Sequence, residues 1–332
     1  MLAHAVGNDH GLSSARQRRD GGGTGANLWQ RPLGRARLGR MLLRPVRDSA
    51  SDARAVREVA VAAFAAMEEE LGGTAVPWTP AGIAVSEAKT RYLAVTDPGG
   101  CWIAEDGGEA VGAALALRRE GLWGLSLFAV LPSAQGKGIG RLLLDHAAAY
   151  GRGCLRGIIV ASPDPRAARR YHAAGFQLHP TMVFSGQVDH AALPAADGIP
   201  VHLGDASHRQ LLDSVDRRVR GGAHGGDHEQ LLRTADDLLV VDTLAGSGYC
   251  YRREGRVVLL AATSRRLAAR LLTEALLRVP VGTEAKVTNA TGEQDWAVDV
   301  CLAAGLTVST RGYLALRGMR PPAPYLPSGA YL

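Results

Sequence analysis

The chain repeats the order of its sequence patterns at a constant spacing of 130 residues. Without a gap, Leu142 falls on Leu272, Ala167 on Ala297 and Gly175 on Gly305. Each copy opens with a strand, an aspartate-containing turn and a helix, passes through a hairpin, and closes with a strand, a helix and a strand. Two halves rich in Ala and Leu could also resemble each other by chance. Because element order is harder to share through composition alone, we interpret the chain as a duplication of one α/β domain.

The duplication divides the 332 residues into five predicted parts. Residues 1–40 are rich in Gly and Arg and lack periodicity, so we expect a disordered leader; an organelle transit peptide, or translation starting at Met41, would also explain them. Residues 41–186 form the first domain, 187–198 a linker rich in small and polar residues, and 199–318 the second domain. Residues 319–332 form an apolar, proline-containing tail that we expect to dock against the first domain.

Local patterns give the elements of the first copy. Strands are predicted at "RYLAVT", "CWIAED", "AVGAALALR", "LWGLSLFAVLP", "LRGIIVAS" and "TMVFSG". A helix is predicted after Asp164, which suits the N-cap, and Pro165, which suits the first helical turn. The predicted fold class is α/β (α+β), with each copy built on a mixed, mostly antiparallel sheet flanked by helices.

Composition narrows the partners. Seven of the 38 Lys and Arg residues lie in residues 1–40, against two of the 32 Asp and Glu residues, so the rest of the chain is nearly neutral. A neutral body lacks the electrostatic signature of a dedicated nucleic-acid binder. The four cysteines form no CxxC pair, and no apolar run has membrane-spanning length. We therefore expect a cytoplasmic monomer or homodimer with buried free thiols, no nucleic-acid partner and no membrane partner.

The most informative motif is "QGKGIG", residues 135–140, directly before a leucine-rich helix. Glycines at this density expose main-chain N–H groups at a helix N-terminus, which suits a phosphate. The Walker motif is excluded because Lys137 is followed by Gly138 rather than Ser or Thr. The dinucleotide motif is excluded because its third glycine position holds Arg141. A glycine turn that only begins a helix remains the alternative.

The stretch resembles the acyl-CoA-binding signature of the GNAT acetyltransferase superfamily, Gln/Arg-x-x-Gly-x-Gly/Ala. A second motif of that family, Asn-x-x-Ala-x-x-x-Tyr-x-x-x-Gly-Phe, is present as Asp164, Ala167, Tyr171, Gly175 and Phe176. The strand "LFAVLP" before the glycines resembles the family's fourth strand. The resemblance covers residues 41–186 and implies a GNAT-like fold that uses acetyl-CoA as co-substrate and needs no metal.

The resemblance also implies site residues. The residues expected to bind the cofactor are Phe128, Ala129, Val130, Gln135, Gly136, Lys137, Gly138, Ile139, Gly140, Arg141 and Asp164. A main-chain N–H of Ala129 or Val130 would stabilise the oxyanion, and Tyr171 would be the general acid, unless it is only a packed aromatic. Asp164 replaces the family's Asn and, when ionised, cannot donate a hydrogen bond.

The general base is not evident, because the fourth strand contains no carboxylate. Glu105 and the helix end Glu68–Glu70 are candidates, although a solvated turn and a solvated helix end are the better explanations of these positions. Because related tandem enzymes can use a terminal carboxylate, we predict Leu332 as the second catalytic residue. The acceptor amine of a small molecule or peptide would then receive acetyl directly in a ternary complex.

The second copy is predicted to have lost the cofactor. Arg266, Ala268 and Arg270 replace the three glycines at the constant spacing, and Cys301 replaces the tyrosine. His224, Asp227 and His228 could be metal ligands, but a loop leading into a helix capped by Asp227 also explains them. The leading function is N-acetyl transfer, and its rival is a non-catalytic acyl-CoA-binding sensor or assembly module.

Overall fold

The computed structural model describes residues 41–194 and 198–332; the predicted leader lies outside the described residues, as do positions 195–197 of the predicted linker. The described residues form an α/β structure on a mostly antiparallel sheet. The strands of the first copy are β1 (Met41–Pro45), β2 (Cys101–Asp106), β3 (Glu109–Arg119), β4 (Leu122–Val130), β5 (Arg156–Ala161) and β6 (Gln177–Gln187). Those that follow are β7 (His202–Leu203), β8 (Asp237–Thr243), β9 (Gly246–Arg253), β10 (Arg256–Ala262), β11 (Glu284–Ala290), β12 (Thr307–Arg317) and β13 (Tyr325–Leu326).

The helices repeat between the copies as the strands do. They are α1 (Ala50–Glu70), α2 (Pro80–Thr96), α3 (Ile139–Tyr150), α4 (Pro165–Ala173), α5 (Arg209–Val219), α6 (Asp227–Thr234), α7 (Arg265–Leu277) and α8 (Asp295–Ala303). Asp164 caps α4 by accepting a hydrogen bond from the Arg166 main chain at 2.7 Å, with Pro165 in the first turn, which confirms the predicted helix start. The last helix and strand of each copy, α4 with β6 and α8 with β12, keep the 130-residue spacing.

The two copies exchange strands instead of forming separate sheets. Within the described residues the order is β1-β2-β3-β4-β5-β12-β6-β11-β10-β9-β8-β7, and β13 pairs with β10. Strand β12 of the second copy thus lies between β5 and β6 of the first, and β6 pairs with β11 of the second. Each copy has one parallel pair, β4 with β5 and β10 with β11, at the equivalent position.

Alternate strand residues divide the interior into clusters on the two faces of the sheet. Leu115 of β3 and Leu259 of β10 share one cluster with residues of α1, α2, α5 and α6, so this core belongs to both copies. Strand neighbours on the opposite face pack against α3 and α4 in the first copy and against α7 and α8 in the second. The four cysteines are buried and free, as predicted.

One predicted strand is wrong. The stretch "RYLAVT" forms the end of α2, which begins after the cap Thr79 with Pro80 in its first turn. Thr90, Leu93 and Ala94 are its buried residues, a spacing that places them on one helical face. None of the helices in the described part of the chain has the length and hydropathy of a membrane span.

Candidate functional site

A gap opens between two parallel strands at the centre of the first copy. Strands β4 and β5 pair from Leu122 to Leu125 and no further, whereas β4 stays paired with β3 as far as Val130. Ser126 is an extra residue in that second pairing, because Leu125 lies opposite Ala116 and Leu127 opposite Leu115. Such a bulge bends a strand and redirects its side chains. Residues 126–130 are therefore left without a partner on the β5 side.

A cavity of about 410 Å³ lies beside this gap, and we call it the glycine-loop cavity. The cavity is lined by residues of α1, the end of β4, the glycine loop, the loop after β5 and α4. Its lining residues are Ala63, Phe64, Met67, Phe128, Ala129, Val130, Gln135, Gly136, Gly138, Gly140, Ser162, Asp164, Arg166, Ala167, Arg169, Arg170, Tyr171 and Ala173.

The glycine loop presents a row of unused main-chain donors. Gly136 and Gly138 have φ values of +77° and +83°, and Gly138 is the N-cap of α3. A Cβ on Gly140 would lie 3.2 Å from the Phe128 ring, so a side chain there would crowd the cavity wall. Within the described part of the chain, no hydrogen bond uses the N–H groups of residues 136–140. Free N–H groups at a helix N-terminus form an anion site.

Three arginines of α4 add positive charge to the same cavity. Arg166, Arg169 and Arg170 line it, and Arg166 also pairs with Asp164 and with Glu70 of α1. These arginines are not among the predicted site residues, although they stand between the two motif residues Asp164 and Tyr171. Guanidinium groups suit phosphate oxygens because they can donate two parallel hydrogen bonds.

Tyr171 lies at the inner end of the cavity. Its side chain is 4% exposed, and its ring lies 6.2 Å from that of Phe128. Burial raises its pKa well above the usual range, and the nearby Asp164 carboxylate adds to the shift against the opposing charge of Arg170. The phenol is therefore protonated near neutral pH and can act as a proton donor.

A second cavity of about 530 Å³ meets the first, and we call it the interdomain cleft because both copies line it. Phe64, Phe128, Ser162 and Tyr171 belong to both linings. The second copy contributes residues of β9–β12, and Ser328, Gly329 and Ala330 come from the tail. Tyr171 therefore belongs to the boundary between the two cavities.

Comparison with known proteins agrees with this geometry. Residues 63–176 match the sequence profile of the acetyltransferase (GNAT) family. These residues form a GNAT acetyltransferase domain. The chain is accordingly an acyltransferase, and the reaction of the family that this domain matches is acetyl transfer from acetyl-CoA. No curated protein sequence matches the chain.

Solved structures share the fold over most of the chain. A proposed acetyltransferase from Pyrococcus horikoshii superposes with a TM-score of 0.68 at 16% identity, covering 91% of this chain and 99% of the other. A GCN5-related N-acetyltransferase from Sphaerobacter thermophilus gives 0.54 at 16% identity, covering 84% and 95%. A tandem GNAT protein from the clavulanic acid biosynthesis pathway gives 0.53 at 15% identity, covering 84% and 99%.

The GNAT domain brings most of the predicted site residues together. The predicted residues that line the glycine-loop cavity are Phe128, Ala129, Val130, Gln135, Gly136, Gly138, Gly140, Asp164 and Tyr171. Lys137, Ile139 and Arg141 are not among its lining residues. Ile139 is 1% exposed within the hydrophobic core, and Arg141 lies 3.8 Å from Asp145 on the outer side of α3.

Two of the candidate bases, Glu105 and Glu68, form ion pairs and line neither cavity. Glu105 lies in β2, not in a solvated turn, and accepts a hydrogen bond from Arg44 at 2.8 Å. Glu68 pairs with Arg311 of β12. The tail does dock as predicted, and Leu332 packs against Leu122 and Ile158 of the first copy.

The Leu332 main-chain oxygen lies outside both cavities. It accepts hydrogen bonds from Arg220 at 2.7 Å and from the Tyr325 hydroxyl at 2.6 Å, and the residue is fully buried. These contacts stabilise the tail, and the base role of Leu332 stays a prediction.

The tail fills the second copy's equivalent of the strand gap. β10 pairs with β11 only at Arg256 and Lys286, and β13 pairs with β10 instead, through Leu260↔Leu326 and Ala261↔Tyr325. The helix after β10 begins at once, with Ser264 as its cap and no glycine loop. Ala268 is fully buried and Arg270 binds the Ile199 carbonyl, so neither faces an open phosphate site.

The histidines of the second copy form a buried network with a different aspartate from the predicted one. Asp216 lies 2.7 Å from His224 Nδ1 and 3.0 Å from His228 Nε2, and the three residues could geometrically hold a metal ion. Burial opposes ionisation of Asp216, but the charges and hydrogen bonds of His224, His228 and Arg220 outweigh it and hold its pKa well below normal. The Arg220 guanidinium contacts His224 directly, which disfavours a second cation there.

Asp227 joins the two copies and does not cap a helix. It is the first residue of α6, whose N-cap is Gly226. Its buried carboxylate accepts from Arg119 at 2.7 Å and from the Tyr92 hydroxyl at 2.9 Å. Arg119 also binds Asp97, so a charge network of the first copy closes on the second.

Proposed function

We propose that the chain is an N-acetyltransferase that moves an acetyl group from acetyl-CoA directly to an amine in a ternary complex. The observation that carries the proposal is that two cavities share a wall containing Tyr171 at the gap between β4 and β5. One cavity has the donors and cations that phosphates need. The other is open to an acceptor.

The residues of the first copy divide the work of binding. The free N–H groups of residues 136–140 would bind the pyrophosphate of acetyl-CoA, supplemented by Arg166, Arg169 and Arg170. The unpaired part of β4 would accommodate the pantetheine arm in the strand gap. Bound acetyl-CoA would supply the acetyl group as a thioester at the shared wall.

The same wall would carry the chemistry. A main-chain N–H of Ala129 or Val130 would stabilise negative charge on the thioester oxygen as the amine nitrogen bonds to its carbonyl carbon. Tyr171 would give its proton to the departing thiolate sulfur. No Asp, Glu or His belongs to the described lining of the interdomain cleft, and Leu332 lies outside it, so we assign the amine's proton to water in the cleft rather than to the terminal carboxylate.

The second copy would shape the acceptor site and bind no cofactor. β13 occupies its strand gap, and residues of β9–β12 line the interdomain cleft. We therefore expect one acetyl-CoA per chain.

A titration calorimetry experiment with acetyl-CoA, followed by a thiol-release assay against a panel of amines, tests the function. Binding at one site per chain and amine-dependent release of free thiol are expected. Binding without release for any amine would instead favour the acyl-CoA sensor, and absence of binding would contradict both functions.

A further inference from the structure

Three cations stand side by side across three neighbouring strands of the interdomain cleft. Arg253 of β9 is the register partner of Arg256 of β10, which is the register partner of Lys286 of β11. Register partners project to the same face of a sheet, and like charges in these positions destabilise it. Arg311 of β12 and Lys89 of α2 line the same cleft.

The chain itself provides almost no neutralising charge for this group. None of the residues described as lining the cleft is an Asp or Glu. Arg311 has Glu68 as its partner, whereas Arg253, Arg256, Lys286 and Lys89 form no ion pair within the described residues. Lys286 is half-buried, and burial together with the charges of Arg256 and Arg311 lowers its pKa, against the opposing effect of Glu284.

A buried hydroxyl in the same cleft also lacks a partner. Ser126, the bulged residue of β4, is 9% exposed, and its Oγ has no hydrogen bond within the described residues. A buried polar atom without a partner costs free energy. Ser126 lines the cleft on the first copy's side, opposite the strands that carry the cation row. The like charges and the unpartnered hydroxyl therefore line the same cleft.

We infer that the interdomain cleft binds an amine acceptor that carries anionic groups, carboxylate or phosphate, with Arg253, Arg256 and Lys286 as the residues that select it. The inference rests on the proposed acetyltransferase function and adds the substrate class. Guanidinium groups bind both kinds of oxyanion bidentately. The cofactor's phosphates have separate partners in the glycine loop and α4, and the cleft has the volume of a small-molecule site.

The test compares matched amines in the thiol-release assay at saturating acetyl-CoA. The anionic amines are L-glutamate, O-phospho-L-serine and 2-aminoethyl phosphate. Their counterparts without an anionic group, which we call the neutral amines, are L-glutamine amide, L-serine amide and ethanolamine. The variants are Arg256→Gln and Lys286→Gln, and the control is Arg54→Gln, an exposed residue of α1 outside both cavities.

We expect at least one anionic amine to exceed its neutral counterpart in kcat/KM by about tenfold or more, an effect typical of a charge-assisted contact. Arg256→Gln and Lys286→Gln should remove that preference, mainly through KM, while Arg54→Gln retains it. Because each cleft substitution relieves repulsion between like charges, the melting temperature of these variants should equal or exceed that of the wild type. A merely structural role would lower it.

Equal or better turnover of the neutral amines, or a preference unchanged in Arg256→Gln, overturns the inference and leaves the acetyltransferase function standing. If acetyl-CoA binds but no amine is acetylated, the proposed function fails first. Calorimetric titration of the anionic amines into the acetyl-CoA complex then decides the inference: binding that Arg256→Gln abolishes supports it, and no binding overturns it.

Discussion

At the scale of single residues, Tyr171 is the side chain to which the proposed mechanism assigns the proton transfer. It lines both cavities, and its hydroxyl carries its proton at neutral pH, as any phenol does, with burial raising the pKa further. A group kept protonated beside a leaving thiolate suits a general acid, because the proton is available when the thioester bond breaks. A sensor would not require that hydroxyl.

Replacing Tyr171 with Phe should lower kcat by about 10²-fold or more, the usual contribution of a general acid. The affinity for acetyl-CoA should change little, because the ring and its packing remain. Steady-state thiol release and calorimetry measure the two effects separately. Tyr150→Phe is the matched control. The Tyr150 hydroxyl donates a hydrogen bond to Asp97 at 3.1 Å, and Tyr150 lines neither cavity. Equal kcat values for the two variants would contradict the acid role of Tyr171.

Lys89 of α2, which lines the interdomain cleft, lowers the stability of the folded chain. Burial lowers its pKa from 10.5 to about 8, with the Cys101 thiol acting weakly in the other direction. The unfolded chain therefore binds more protons than the folded chain between pH 8 and 10.5. The free-energy cost of burying the Lys89 ammonium group is complete below pH 8 and disappears as the pH rises toward 10.5. One pKa unit corresponds to about 1.4 kcal/mol, so the shift limits the destabilisation by Lys89 to about 3 kcal/mol. Water in the open cleft reduces this value.

Lys89→Met should accordingly raise the free energy of unfolding at pH 7 by about 1–3 kcal/mol, and by much less at pH 10.5. Urea denaturation at the two pH values measures the difference. Lys137→Met, at an exposed loop position, should give no such gain. A Lys89→Met protein that is no more stable than the wild type at pH 7 would show that the ammonium group is well solvated.

At the scale of elements, two equivalent helices differ in how they begin. α3 follows a loop with Gly136 and Gly138 in the left-handed region, whereas α7 follows β10 after two residues and is capped by Ser264. The difference was predictable from sequence, because a glycine loop of this kind depends on local residue types. The end of α2 was not, because a six-residue apolar stretch cannot distinguish a strand from a buried helix without its cap at Thr79.

Gly138→Ala should weaken acetyl-CoA binding by about tenfold or more, since an L-residue resists the left-handed conformation that directs the loop's N–H groups. Gly153→Ala is the matched control. It has a φ of +87° and open space around its Cβ, as Gly138 has, but lies outside the cavity. Both variants should lose about 1–2 kcal/mol of stability. The loop would not bind phosphate if the affinities of the two variants were equal.

At the scale of the whole molecule, strand exchange makes the two copies depend on each other. β6 pairs only with β11 and β12 among the described strands, and both belong to the second copy. The duplication and the order of most elements could be predicted from sequence, because they follow from local patterns and spacing. The exchange could not, because alternation along β6 and β12 specifies a buried face and leaves the neighbouring strand undetermined.

The interdomain cleft could not be predicted from the sequence for the same reason. Arg253, Arg256 and Lys286 are neighbours through strand register, although Lys286 is remote from the other two in sequence. Likewise, the docking of the tail was predicted from its apolar composition, but its pairing with β10 in the second copy's strand gap was not.

The exchange predicts that residues 41–194 do not fold alone. Without β12, the β5–β6 region loses its central strand, and Ile158 and Phe184, both fully buried, are exposed. Burial of each such side chain contributes roughly 1.5–3 kcal/mol, so a few of them exceed the roughly 5–15 kcal/mol that stabilises a domain once their strand partners are also lost.

Residues 41–194 should be insoluble when produced alone and should form a 1:1 acetyl-CoA-binding complex when produced with residues 198–332. A full chain cut by a protease at a site inserted within residues 195–197 should likewise remain one species in gel filtration. A monomeric 41–194 fragment that unfolds cooperatively, or a cut chain whose halves separate, would contradict the exchanged sheet.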